Sequence, residues 1–177
     1  MLAGVVKACY VVAVDLTASP PVCRVSDGDW VSAWVRWHSI AAGKARHWRA
    51  PSMGEQGTLV SASGDVAQGT FIPGLYGNAG PPPDNRDHVE VWRFDDGGSL
   101  IYDWQAKSYS ITLPSGTVTI KVASTEAVIT DSAVNVTTGN INLKAAVTID
   151  GVLHVTKGIT SAGAIIDAGG NSNHHTH

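Results

Sequence analysis

The residues best suited to chemistry stand at the far end of the sequence. Three of the seven histidines fall in its last four positions, His174-His175-Thr176-His177. On an extended strand residues i and i+2 project to the same side, so His175 and His177 form a two-toothed ligand while His174 and Thr176 point the other way. Neutral imidazole is a good donor to divalent transition metals. One such pair cannot complete an octahedral coordination sphere, but three pairs converging on a threefold axis would supply six imidazoles. Taken alone, the preceding Gly169-Gly170-Asn171-Ser172-Asn173 also fits a frayed polar tail. A metal reading therefore depends on whether the chain upstream gathers copies of itself. His38, His47 and His88 have no partner at ligand spacing and read as ordinary polar residues. His154 lies between Leu153 and Val155, where strand alternation turns it outward.

The upstream segment carries a repeat. Ile120/Val122, Ala127/Ile129, Val134/Val136 and Ile141/Leu143 are apolar pairs spaced i,i+2, each beginning seven residues after the one before. Val147/Ile149 and Leu153/Val155 continue the series with a six-residue step. A coiled coil needs apolar positions three and four apart with helix formers between them, whereas Val, Ile, Thr, Asn and Gly fill this repeat. Each unit reads as a short strand with one apolar face followed by a turn. A thin ribbon of such faces cannot bury itself, because an isolated meander is marginal in water. Copies wound about a common axis would bury the stripe and pair the edges, giving an intertwined β-prism. The repeat demands partners without fixing their number; three would complete the histidine site.

Composition narrows the functional classes. In 177 residues the charged fraction is only 15%, with 19 glycines and a hydrophobic fraction of 44%, which argues against disorder. The net charge of -3 provides no basic field for nucleic acid or anionic lipid. Residues 1–94 balance eight basic against eight acidic side chains, so residues 95–177, with four and seven, supply the whole imbalance. Cys9 and Cys23 cannot make a disulfide framework and lack zinc-site spacing. The start, MLAGVVKACYVVAV, has no basic leader region and is interrupted by Lys7 and Asp15, so it reads as a strand and not a signal peptide; synthesis in the cytoplasm is expected.

All six tryptophans and both phenylalanines precede residue 105. There, short β-rich runs alternate with turn signals: Gly4 to Val14, Val22 to Val25, Trp30 to Trp37, Ala41 to Arg49, Thr58 to Ala62 and Val66 to Ile72. The pattern predicts a five-stranded OB-like barrel. Residues 77–87, with three successive prolines, cannot continue a sheet and predict a linker. Val89 to Phe94 and Ser99 to Trp104 flank Asp95-Asp96-Gly97-Gly98, the signature of a hairpin.

Several motifs in this order resemble the central spike, or baseplate assembly protein V, family of contractile-tail bacteriophages and R-type bacteriocins (tailocins). They are Trp34-Val35-Arg36-Trp37, Ala42-Gly43 with Arg46 and Trp48, Pro51-Ser52-Met53-Gly54-Glu55-Gln56, and Gly69 through Ile72-Pro73-Gly74-Leu75-Tyr76. Asp96-Gly97-Gly98-Ser99 with Tyr102-Asp103 and the terminal His175-Thr176-His177 complete the set. The resemblance implies an all-β chain: an OB-fold collar over residues 1–76, a linker and hairpin over 77–104, a trimeric β-helix shaft over 105–165 and a pointed apex over 166–177. It further implies that His175 and His177 of three chains bind one iron ion octahedrally, with further ions possible on the axis. It implies attachment to the baseplate hub and tail tube, residence in a virion or bacteriocin particle, and the bacterial outer membrane as target. Neither a small-molecule substrate nor nucleic acid is expected as a partner.

Two other classes can be weighed on the residues. A cell-wall hydrolase needs a carboxylate pair. The only glutamates are Glu55, Glu90 and Glu126, and Asp95-Asp96 and Asp27-Gly28-Asp29 read as turn residues. A single-strand-binding OB module would use Trp30, Trp34, Trp37 and Trp48 beside Arg36, Lys44, Arg46 and Arg49. The neutral charge of this segment favours packing and interface roles for those side chains instead.

Overall fold

A computed structural model describes residues 6–163. The chain divides after Gly116 into two compact units.

The first unit begins with β1 (Val6–Asp15), β2 (Val22–Ser26), β3 (Arg36–Trp37), β4 (Gln56–Val60) and β5 (Thr70–Leu75). They form one sheet in the order β2-β1-β4-β5-β3. All strand pairs are antiparallel except β3 with β5, which is parallel. Cys23 and Val35 exchange backbone hydrogen bonds of 2.8 and 2.9 Å, tying β2 to the approach of β3 and all but closing the barrel. This is the five-stranded OB arrangement.

Alternation explains the core. Cys9 and Val11 of β1, Cys23 and Val25 of β2, Leu59 of β4 and Phe71 of β5 point inward with Val35 and are buried together. A register shift between Val11 and Ala13 bends β1 around this small core. Gly57 makes room for it: a Cβ there would sit 2.6 Å from the Phe71 ring.

Parts of the barrel depart from the sequence expectation. Of the Trp30–Trp37 run only Arg36–Trp37 is a strand, preceded by single bridges at Val31 and Val35. Ser32 explains the gap, since its hydroxyl accepts from the Val25 amide at 2.9 Å and replaces a ladder bond. Ala41 to Arg49 holds only one bridge, Ala42 to Arg46. Val66–Gln68 form a 3-10 turn, and β5 starts beyond it.

The linker leads into β6 (Val89–Arg93), β7 (Ser99–Asp103) and β8 (Ser108–Thr112), an antiparallel sheet in that order. The β6–β7 hairpin forms as its Asp-Gly turn predicts. Gly97 takes φ +88° there, and the Asp96 carboxylate accepts from the Gly98 amide at 2.8 Å. In the linker Arg86 bridges Asp84 at 2.8 Å and Asp103 of β7 at 3.0 Å.

The second unit contains β9 (Val118–Val122), β10 (Thr125–Ile129) and β11 (Val134–Thr137), an antiparallel meander. A two-residue turn separates β9 from β10 and a four-residue turn separates β10 from β11. Beyond Thr137 no further strand ladder forms within the chain among the described residues. Ile141/Leu143, Val147/Ile149 and Leu153/Val155 were expected on strands as well, but a strand needs a neighbour for its backbone groups, and this part of the chain offers none to itself.

Candidate functional site

The meander sorts its side chains by face. Cross-strand pairing lines up Ile120, Ala127 and Val136 in one row and Val118, Ile129 and Val134 in the next. Thr119, Lys121, Glu126, Asn135 and Thr137 occupy the other face together with Val128, and there Lys121 bridges its direct partner Glu126 at 2.9 Å. The pairs Ile120/Val122, Ala127/Ile129 and Val134/Val136 of the sequence repeat thus share one face of the meander. That surface is uncovered: Ile120 is 62% and Val122 72% exposed. Leu143, Val147, Ile149 and Leu153 further along are exposed as well. A contiguous apolar face of this kind marks an interaction surface.

His174, His175 and His177 lie outside the described residues. The remaining histidines are dispersed. His38 Nε2 meets Thr70 Oγ1 at 2.8 Å, His47 stacks edge-on against Trp92, and His88 Nδ1 lies 3.0 Å from Asp87. No cluster of three or more potential metal ligands occurs among the described residues.

Other chemistry-bearing residues have structural partners. Arg49 grips Glu55 with both guanidinium nitrogens, and the Ser52 amide donates to the same carboxylate at 2.9 Å. Burial favours the neutral form of Glu55, yet these bonds outweigh it and hold its carboxyl below the usual range. Glu90 accepts from the Trp92 indole at 3.0 Å. Cys9 faces Gly57 and Cys23 faces Val14, so they are not cross-strand partners; both are free, buried thiols. Burial raises the Cys9 pKa and pushes Cys23 up to about 11.

The four tryptophans of the barrel segment have neighbours within it, though Trp34 and Trp48 stay exposed. Arg24 lies over Trp34, Lys7 over Trp30, and the rings of Trp37 and Trp48 are 5.7 Å apart. The sequence reading passed over Tyr109, Ile111 and Leu113, although polar residues alternate with them at the strand period.

Fold and surface together define an all-β assembly protein: a small barrel followed by a β-repeat that leaves its apolar face open. Comparison with known proteins agrees. Residues 7–76 match the Type VI secretion system/phage-baseplate injector OB domain. Residues 90–161 match the Gp138 beta helical trimerization domain. The chain is 31% identical to the Spike protein of Escherichia phage P2 over 184 aligned positions, covering 96% of this chain and 82% of that protein. The chain belongs to this phage spike-protein family and is a structural spike of a contractile tail.

Proposed function

We propose that the chain is the membrane-piercing central spike of a contractile injection machine, acting as a homotrimer that caps the tail tube and is driven through the bacterial outer membrane when the sheath contracts. The observation that carries this reading is the uncovered row Ile120–Ala127–Val136 with its neighbours, on a segment similar to a trimerization domain. Three copies wound about one axis would bring each exposed Val, Ile and Leu against its equivalents and supply the missing backbone partners beyond Thr137. The OB barrel forms the collar and attaches to the hub and tube of the baseplate.

The work is mechanical. A needle concentrates force on a small area, so the shaft must stay folded under load, and interchain hydrogen bonds around a dry core resist unwinding. Residues 117–137 place their charged pair, Lys121 and Glu126, away from that core. At the apex His175 and His177 of each chain would hold one iron ion, a reading supported by imidazole donor chemistry and strand spacing. Iron bound there would supply a crosslink between three chains. Six imidazoles would fill an octahedral sphere, so an ion held by them would serve as a structural crosslink. Each glutamate has a partner, in Arg49, Trp92 or Lys121.

The reading is tested on tail particles from cells that make the Val136→Asp chain in place of the wild type. Such particles should lose the ability to admit a membrane-impermeant dye into susceptible cells. Wild-type dye uptake by particles carrying that variant would contradict the proposal.

A further inference from the structure

Residues 77–89 fall between the segment similar to the injector OB domain, which ends at 76, and the one similar to the trimerization domain, which begins at 90. Their composition predicts a free linker, yet the fold holds them down at several points. Gly77 and Gly80 exchange backbone hydrogen bonds of 3.2 and 3.1 Å, and the Gln56 side chain of β4 packs where a Gly77 Cβ would stand. A Cβ on Gly54 would meet Ala79 Cβ at 3.4 Å, so the same turn rests on the barrel loop that precedes β4. Past the prolines, Asp84 accepts from the Asn85 and Arg86 amides at 2.8 and 2.9 Å. Arg86 donates back to Asp84 through Nε and Nη2, and through Nη1 it reaches Asp103 of β7 at 3.0 Å. The Trp104 amide donates to the His88 carbonyl at 3.2 Å. A further tie bypasses the linker: His47, in the loop between β3 and β4, meets the Trp92 ring of β6 edge-on, with ring centroids 5.7 Å apart. Barrel and sheet accordingly fall in one compact unit, which ends only at Gly116.

We propose that residues 77–88 form a locking strap, pinned to the barrel at Gln56 and to the sheet at Asp103, which together with the His47–Trp92 contact makes the barrel and β6-β7-β8 one rigid body for passing thrust into the shaft. The inference rests on the spike reading above, since the stiffness of a joint matters in a part that carries load. A needle hinged beneath its collar would bend there when pushed, and the force would never reach the tip. Pro81, Pro82 and Pro83 fit the strap to this task. Their rings fix φ, so the free segment has less conformational freedom to lose when both of its ends are pinned. A single exposed ion pair contributes little, so the lock lies in Arg86 holding two carboxylates at once, with the other ties acting beside it. Asp103 is a firm anchor for it. Its other oxygen accepts from the Gln105 and Ala106 amides at 3.0 and 2.8 Å, so the carboxylate that receives the strap is itself held in place by the turn after β7.

Spin labels in the full chain measure the joint. Ala8→Cys on β1 and Ser110→Cys on β8 place thiols at exposed strand positions of the barrel and the sheet, while the two native thiols are buried. Labelled chains are diluted with unlabelled ones, so that double electron-electron resonance reads pairs within one chain. Expected is a single narrow distance, which gives way to a broad distribution when Arg86→Gln and His47→Ala are added together. Should that variant fail to fold, Asp103→Asn answers the same question. It keeps the oxygen that holds the Gln105 and Ala106 amides, removes the charge facing Arg86, and should broaden the distance to a smaller extent. A broad distribution before any tie is cut, or an unchanged narrow one afterwards, would overturn the proposal. Tail particles from cells that make the Arg86→Gln, His47→Ala chain should admit less dye than wild-type particles. Full dye uptake beside a broadened distance would overturn the proposal too, and would leave in place the spike reading, which Val136→Asp tests separately.

Discussion

Ile120 and Ala127 stand directly opposite each other on β9 and β10, and the face they share is open to solvent. An aliphatic residue beside an alanine makes a shallow surface that can be closed only by something equally apolar. The i,i+2 repeat is therefore a pattern for association more than for the folding of one chain.

Charging that face should separate assembly from barrel folding. In Val136→Asp each copy would bury an unpaired carboxylate near the axis, at a cost of several kcal/mol per chain. Light scattering after size exclusion should show loss of the multimer. Tryptophan fluorescence should stay native, because all the tryptophans precede the shaft. A multimer of unchanged stability would count against the assembly surface.

The barrel should be sensitive at Gly57. A methyl group there meets the Phe71 ring and the Ile72 carbonyl, so Gly57→Ala should destabilise by about 1–3 kcal/mol. Leu59→Ala, which empties a fully buried site, should cost about 2–5 kcal/mol. Urea unfolding followed by tryptophan emission measures both. Wild-type midpoints would contradict the packing described.

Much of this was legible in the residues. Alternation in Val6–Asp15 and Val22–Ser26 and the Asp-Gly turn before Ser99 carried their strands directly. Trp30 to Trp37 misled because its β-forming residues are held by Ser32 and by single bridges, a tertiary choice that β propensity does not encode. Past Thr137 the period of the repeat is plain, but the partners that would make strands of it are not in the same chain. The spacing of His175 and His177 is visible in sequence, whereas the proposed convergence of three such pairs would need symmetry, which one chain does not contain.

Glu55 should make the barrel sensitive to acid. Its folded-state pKa is lowered, so its contribution is present above the unfolded carboxylate range and is lost as pH falls through the folded value. Stability should drop below about pH 4.5. Glu55→Gln should flatten that limb and weaken the Arg49 contact at neutral pH. An unchanged acid limb in thermal melts of the variant would exclude Glu55 as a contributor.

The buried thiols act at the other end of the scale. Cys23 is raised from 9.0 to about 11, so its contribution is complete below the unfolded value and is lost as pH rises through that window. Cys23→Val should reduce the loss of stability on the alkaline side. In the native protein both thiols should resist an aromatic disulfide reagent until urea unfolds the barrel. Rapid labelling at neutral pH without denaturant would contradict their burial.

The dependence of the shaft on sister copies is tested most directly by native mass spectrometry of the purified chain at high dilution, combined with metal analysis. The expected species contains three chains of 18.5 kDa with about one iron, and His175→Ala with His177→Ala should lose the iron while retaining three chains. A folded single chain, stable at the same dilution, would contradict it.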